Sequence, residues 1–183
     1  MRRLLAPLAI LALAACGDSG VPPPGQEPLR ASKPQVAEDE VVLRAEGLVA
    51  GPEAFYFSAG RNEVETALTA ALGEPVERSE NAECGVGPMQ FTEYPGGLIV
   101  NFQSGNLSGW NASGEGQRED SALRIAGDVQ IGSTRDEAQE ADGFAPIPAS
   151  TLGDEFALGN AMGGFFEGDQ VVMMYAGAQC FFR

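Results

Sequence analysis

Apolar positions first fall into a helical rhythm after Gly60-Arg61-Asn62-Glu63. Val64, Ala67, Leu68, Ala71 and Leu72 then recur at spacings of three and four and so share one helix face. Gly73-Glu74-Pro75 closes the stretch, glycine supplying a left-handed cap and proline forbidding continuation. Ahead of this helix, Val41-Val42-Leu43-Arg44-Ala45-Glu46-Gly47-Leu48 and Phe55-Tyr56-Phe57 read as short strands. After it come strand patterns over 85–92, over 97–103 and at Leu107-Ser108-Gly109-Trp110, with Ser104-Gly105-Asn106 turning the last two into a hairpin. A second helix is predicted at Gly132-Ser133-Thr134-Arg135-Asp136-Glu137-Ala138, where Thr134 caps and Glu137, three residues on, completes a capping box.

The two regions read alike. A shift of about 74 residues lays Thr134 over Gly60, Glu137 over Glu63, Ala138 over Val64, Ala141 over Ala67 and Phe165 over Phe91. One residue less lays Val171-Val172-Met173-Met174-Tyr175 over Leu98-Ile99-Val100-Asn101-Phe102. The expectation is an α+β fold in which two helix-plus-antiparallel-sheet halves, 41–112 and 113–183, pack as one domain. Phe55, Phe57, Phe91, Phe102, Trp110, Phe165 and Phe181 are the expected core between sheets and helices.

The first forty residues belong to a different regime. Met1-Arg2-Arg3 precedes an apolar run over 4–15, interrupted by Pro7, that ends in Leu13-Ala14-Ala15-Cys16. About a dozen residues are too few to span a bilayer, for which a helix takes roughly twenty, so 1–15 reads as a secretory signal. Leu13-Ala14-Ala15-Cys16 resembles the bacterial lipobox, which implies lipidation of Cys16, cleavage before it, and two or three acyl chains such as palmitate anchoring the mature protein. Residues 16–40, with Val21-Pro22-Pro23-Pro24-Gly25 at their centre, are too poor in apolar side chains to bury a core and read as a disordered tether. Extended as polyproline, it reaches at most ~70 Å. Gly17 after the cysteine, where enteric sorting rules place an aspartate for inner-membrane retention, favours the outer membrane, facing the periplasm.

Charge narrows the partners. Removing 1–15 takes two of the 11 basic residues and none of the 26 acids, moving the formal charge from −15 to about −17. Such a surface repels nucleic acid and anionic lipid headgroups. The 24 glycines imply many tight turns. With Cys16 assigned to lipid, Cys84 and Cys180 remain as an even pair in an oxidising compartment, where a disulfide is expected. Closing a loop of ~100 residues stabilises by at most ~4.7 kcal/mol in the chain-entropy view.

Gly60 to Pro75 and Ile131-Gly132-Ser133-Thr134-Arg135-Asp136-Glu137-Ala138 resemble the glycine, cap, short-helix and Leu-Gly-x-Pro pattern of SmpA/OmlA lipoproteins and of tandem β-lactamase-inhibitor-protein-like domains. That likeness implies helices on an antiparallel sheet and a role in binding another protein. In the second half Gly143-Phe144-Ala145-Pro146 replaces the Leu-Gly-x-Pro ending. The mature region, including Asn81-Ala82-Glu83-Cys84-Gly85, Leu152-Gly153-Asp154-Glu155-Phe156 and Cys180-Phe181-Phe182-Arg183, also resembles a group of small alphaproteobacterial lipoproteins, some of which are labelled aspartate-semialdehyde dehydrogenase. The chemistry opposes that label. Such an enzyme uses a free cysteine nucleophile, a histidine base and a glycine-rich dinucleotide loop, and this chain has no histidine.

Zero histidines removes the commonest proton-transfer side chain near neutrality and the commonest transition-metal ligand. The single lysine, Lys33, lies in the tether, which removes serine–lysine chemistry from the domain. No catalytic, cofactor-binding or metal-binding residue is assigned. Asp154-Glu155 and Asp136-Glu137 are candidates for general acid and base work on a glycan, though adjacent acids on so acidic a chain are usually solvated surface. Asp142-Gly143 and Gly168-Asp169 lack the alternating ligand series of a calcium loop, and Gly159-Asn160-Ala161-Met162-Gly163-Gly164 reads as a turn entering a strand. Trp110 and Tyr56 are candidates for an aromatic binding face, Trp110 also for the end of a core strand. Two functions follow: non-enzymatic binding of another envelope protein, or, as the alternative, a carboxylate-dependent hydrolase of envelope glycans.

Overall fold

The computed structural model describes residues 37–114 and 122–181. The expected signal peptide, Cys16 and nearly all of the expected tether fall outside those residues, as does the chain's last dipeptide. The first strands, β1 (Val41–Arg44), β2 (Gly47–Ala50) and β3 (Glu53–Tyr56), are antiparallel neighbours in a small sheet. Helix α1 (Arg61–Leu72) follows, and then a meander of β4 (Glu77–Asn81), β5 (Met89–Tyr94), β6 (Leu98–Gln103) and β7 (Asn106–Ser113). Strand β8 (Leu123–Ile125) returns to pair in parallel with β1. Helix α2 (Arg135–Glu140) then leads into a second meander, β9 (Phe144–Ile147), β10 (Asp154–Leu158), β11 (Met162–Glu167) and β12 (Gln170–Gly177).

The small sheet runs β3-β2-β1-β8, and the large one β4-β5-β6-β7-β12-β11-β10-β9. The β7–β12 ladder, from Gly109–Gly177 to Ser113–Met173, joins the meanders into one eight-stranded antiparallel sheet. This corrects the expected fold class. The described chain is 47% strand and 13% helix, with two sheets and two short helices, a β-rich fold rather than two helix-plus-sheet halves. The physical reason lies in the strands that carry little apolar signal. Glu77-Arg78-Ser79-Glu80 is wholly exposed, and Ala145 and Pro146 of β9 are exposed too, so both rims of the large sheet escape a hydrophobicity reading. The predicted strand shift fails for the same reason. The helices do begin at Arg61 and Arg135, but Phe91 lies in the second strand of its meander and Phe165 in the third of its own.

Each helix is fixed at its start by a hairpin turn of the large sheet. The Arg61 N–H donates to Gly105 O at 2.9 Å and the Arg135 N–H to Asp169 O at 2.9 Å, so one orphan donor of each first turn is satisfied. Thr134 and Glu137 form the full capping box, with Thr134 N–H to Glu137 Oε2 at 2.8 Å and Glu137 N–H to Thr134 Oγ1 at 3.3 Å. Gly73 caps α1 at φ 93, its N–H donating to Thr69 O. The arginine opening each helix lies over a phenylalanine of the large sheet, Arg61 5.0 Å from the Phe102 ring centre and Arg135 4.0 Å from that of Phe166.

The core sits between one face of the large sheet and the layer made by the small sheet and the helices. Val100, Phe102, Trp110, Phe156 and Met174 meet Leu43, Leu48, Val64 and Leu68 there, all essentially inaccessible to solvent. The Trp110 indole Nε1 donates to Arg44 O at 2.8 Å, linking the two sheets through a part-buried hydrogen bond. Of the expected core, Phe55, Phe102 and Trp110 are buried, and Phe57 packs at its margin. Phe91, Phe165 and Phe181 do not belong to it. Strand alternation places Phe91 and Phe165 on the opposite face, where they are only partly buried.

Candidate functional site

The face turned away from the helices is where the structure gathers side chains with no evident structural partner layer. Cross-strand register arranges it in rows. One runs Glu77, Glu93, Ile99, Asn111, Tyr175 and Gly163 across β4, β5, β6, β7, β12 and β11. A second contains Ser79, Phe91 and Asn101, and a third contains Ser113, Met173, Phe165 and Glu155. Among the described residues no helix or second sheet covers this face.

The C-terminal segment crosses it as a strap. Ala178 N–H donates to Ser108 O at 2.8 Å, and Asn101 Nδ2 donates to Ala178 O at 2.8 Å and to Gln179 Oε1 at 3.1 Å. The strap lies so close that a Cβ at Gly109 would sit 2.4 Å from Ala178 O. Asn101 is fully buried beneath it, and its Oδ1 has no hydrogen-bond partner among the described residues. Cys180 then bonds to Cys84 in the β4–β5 loop, with Cα atoms 5.0 Å apart and a sequence separation of 96. The expected disulfide is therefore present, and it fastens the end of the described chain to the first meander. Phe181 packs edge-on against Tyr175 at 5.1 Å and Phe165 at 5.7 Å. Tyr175 lies flat over Gly163, where a Cβ would come within 2.5 Å of the phenolic oxygen, and donates to Glu155 Oε1 at 2.6 Å.

Among the shallow grooves on this face, two adjoin. One of about 340 Å³ is bordered by Glu77, Phe91, Glu93, Ile99 and Phe181. The other, about 650 Å³, is bordered by Glu93, Ile99, Glu167 and Met173, and both reach Asn111. Sharing Glu93, Ile99 and Asn111, they form one trough in which Phe91, Ile99 and Met173 lie beside Asn111 and Ser113 and carboxylates stand at the sides.

The sequence-predicted acids do not assemble into a catalytic pair. Asp154 and Glu155 are neighbours on β10 and therefore point to opposite faces. Asp154 pairs with Arg135 at 2.5 Å on the helix side, and Glu155 is buried on the other side against Tyr175. Glu137 is occupied by the capping box, and Asp136 is exposed on α2. Gly159-Asn160-Ala161 forms the turn into β11. Among the described residues no three His, Cys, Asp or Glu side chains are placed to hold a metal ion, and no helix is long and apolar enough to cross a membrane. Trp110 is a core residue, and Tyr56 is exposed at 63% on the small sheet, away from the trough. The aromatic face escaped a sequence reading because β5 and β11 carry apolar residues on both faces, so alternation alone does not say which side meets solvent.

The other polar network closes the α1–sheet junction. Glu65 accepts from Thr92 Oγ1 at 2.6 Å and from Arg61 Nε at 3.0 Å, with Arg78 Nε at 3.5 Å. Burial pushes the Glu65 carboxyl up, but the Thr92 hydrogen bond and the Arg61 and Arg78 charges outweigh it and hold the group below 4.5. A depressed carboxylate contributes stability above its unfolded value and loses it as pH falls through the folded one. We therefore expect Glu65→Gln to reduce the loss of stability between pH 5 and more acid conditions, measured by urea unfolding across that range. An acid limb identical to that of the unmodified protein would rule this network out as a source of pH dependence.

Compared with protein-family models, with characterised proteins and with solved structures, the chain matches none. The functional reading therefore stands on the residues themselves.

Proposed function

We propose that this chain is a lipid-anchored protein of the bacterial envelope that binds another envelope protein through the outer face of its eight-stranded sheet and catalyses no reaction. The observation that carries the reading is the set Phe91, Ile99, Phe165, Met173 and Tyr175, partly exposed on a sheet face that nothing among the described residues covers except the strap. An antiparallel sheet with one solvated face ordinarily alternates apolar-in with polar-out. Aromatic and sulfur side chains on the solvated face are instead the composition of protein-binding surfaces. Anchoring is supported by Leu13-Ala14-Ala15-Cys16 and by the resemblance to small alphaproteobacterial lipoproteins. Asp154 and Glu155 stand on opposite sides of their strand and as a pair lend nothing to the alternative, glycan hydrolase reading.

The test is a photo-crosslinking amino acid placed at Ile99 of the full-length protein in its native cells, with Glu140 on the exposed end of α2 as the control position. The protein is expected in the membrane fraction, and light is expected to yield one discrete adduct from position 99 and none from 140. No adduct from 99, or equal adducts from both, overturns the assignment of this face.

A further inference from the structure

We infer that the partner engages the trough with a cationic, apolar segment: lysine or arginine side chains set against Glu77, Glu93 and Glu167, and an aliphatic or aromatic side chain entering between Phe91, Ile99 and Phe181. This rests on the protein-binding reading above and adds the chemistry of what binds.

The first support is a like-charge juxtaposition in the strand register. Glu77 and Glu93 are direct cross-strand partners in the β4–β5 ladder and project to the same face. Like charges in that position destabilise an antiparallel pair, so a sheet under no other demand would place a cation opposite one of them. Of the five described arginines, Arg44 ends β1 in the small sheet and the other four are committed elsewhere. Arg61 and Arg78 pair with Glu65 at α1, Arg135 pairs with Asp154 and Asp169 beside α2, and Arg124 pairs with Glu40 at the small sheet. No ion pair among the described residues reaches Glu77, Glu93 or Glu167. The second support is the position of these acids. They line both parts of one trough that also holds Phe91, Ile99 and Met173, so a charge compensated there is brought next to apolar side chains. That is the layout of an interface in which rim charges steer and select while the centre holds.

Other occupants fit less well. A second copy of a chain with formal charge −15 would set acids against acids, and an anionic lipid surface or a nucleic acid would be repelled in the same way. A neutral glycan could stack on Phe91 or Tyr175 yet would leave Glu77 and Glu93 facing each other without compensation.

The experiment uses the purified full-length protein in detergent with its disulfide intact, and as probe a fluorescent octapeptide of alternating lysine and leucine. A glutamate and leucine octapeptide serves as the counter-probe. The cationic peptide is expected to bind, the acidic one not to. Glu77→Gln with Glu93→Gln is expected to weaken binding roughly fivefold or more. Glu74→Gln with Glu140→Gln, which removes the same charge from exposed positions at the helix ends, is expected to leave it within twofold. Equal weakening by both pairs, indifference to the first pair, or no binding at all overturns the inference. An adduct from position 99 in cells combined with no binding of the cationic peptide would defeat the cationic chemistry and leave the protein-binding reading intact; loss of both would defeat the two together. Unfolding midpoints of the glutamine variants separate weakened binding from misfolding, and removing the Glu77–Glu93 juxtaposition is expected to raise the midpoint or leave it unchanged.

Discussion

Trp110→Ala is expected to lower the free energy of unfolding by about 3–5 kcal/mol, the largest effect of any single substitution considered. The side chain is completely buried in β7, and its indole donates to Arg44 O at the end of β1. Alanine would leave a cavity between the two sheets and take the indole donor from a part-buried carbonyl. Trp110→Phe separates the two terms, keeping most of the volume while orphaning the carbonyl, and is expected to cost about 1–3 kcal/mol. Urea titration gives both numbers from the midpoint, with the slope unchanged if the native state keeps its compactness. A drop of under ~1 kcal/mol for the alanine variant would mean that the sheets are not joined through this residue.

Removing the disulfide comes next in size. Replacing Cys84 and Cys180 together by serine is expected to cost about 2–4 kcal/mol, less than the ~4.7 kcal/mol that a loop of ~100 residues sets as the entropic figure. The bridge spans a sequence separation of 96, and the strap it holds also keeps Phe181 on Tyr175 and Phe165. Thermal melting of the unmodified protein with and without reductant, beside the double variant, checks this. Reduction and double substitution are expected to lower the midpoint equally. Coincident melting curves with and without reductant, with the thiols shown to be free, would refute the bridge's contribution.

How much of this was legible beforehand differs from element to element. Helix α1 was readable from Val64, Ala67, Leu68 and Leu72 together with the Gly73-Glu74-Pro75 stop, because local chemistry decides helix ends. Thr134 and Glu137 announced α2 in the same way. The sulfur pairing followed from counting cysteines. What stayed hidden depends on long-range pairing. Residues 41–48, read as one strand, break into β1 and β2 at Ala45-Glu46, and β4 is a strand only because β5 lies beside it. The site was less legible still. Phe91, Phe165 and Phe181 were placed in the core because size and apolarity do not record which side of a pleat a residue occupies. The trough exists only once Glu77, Glu93, Ile99 and Asn111, drawn from four strands, fall into one row.

The rims of the large sheet carry a final consequence. An eight-stranded sheet ends in unpaired backbone donors and acceptors that could recruit the next molecule and grow into a fibre. Here β4 offers a newcomer only Glu77, Arg78, Ser79, Glu80 and Asn81, and β9 inserts Pro146, which has no N–H to give. Strand addition at either border of the large sheet is thereby discouraged.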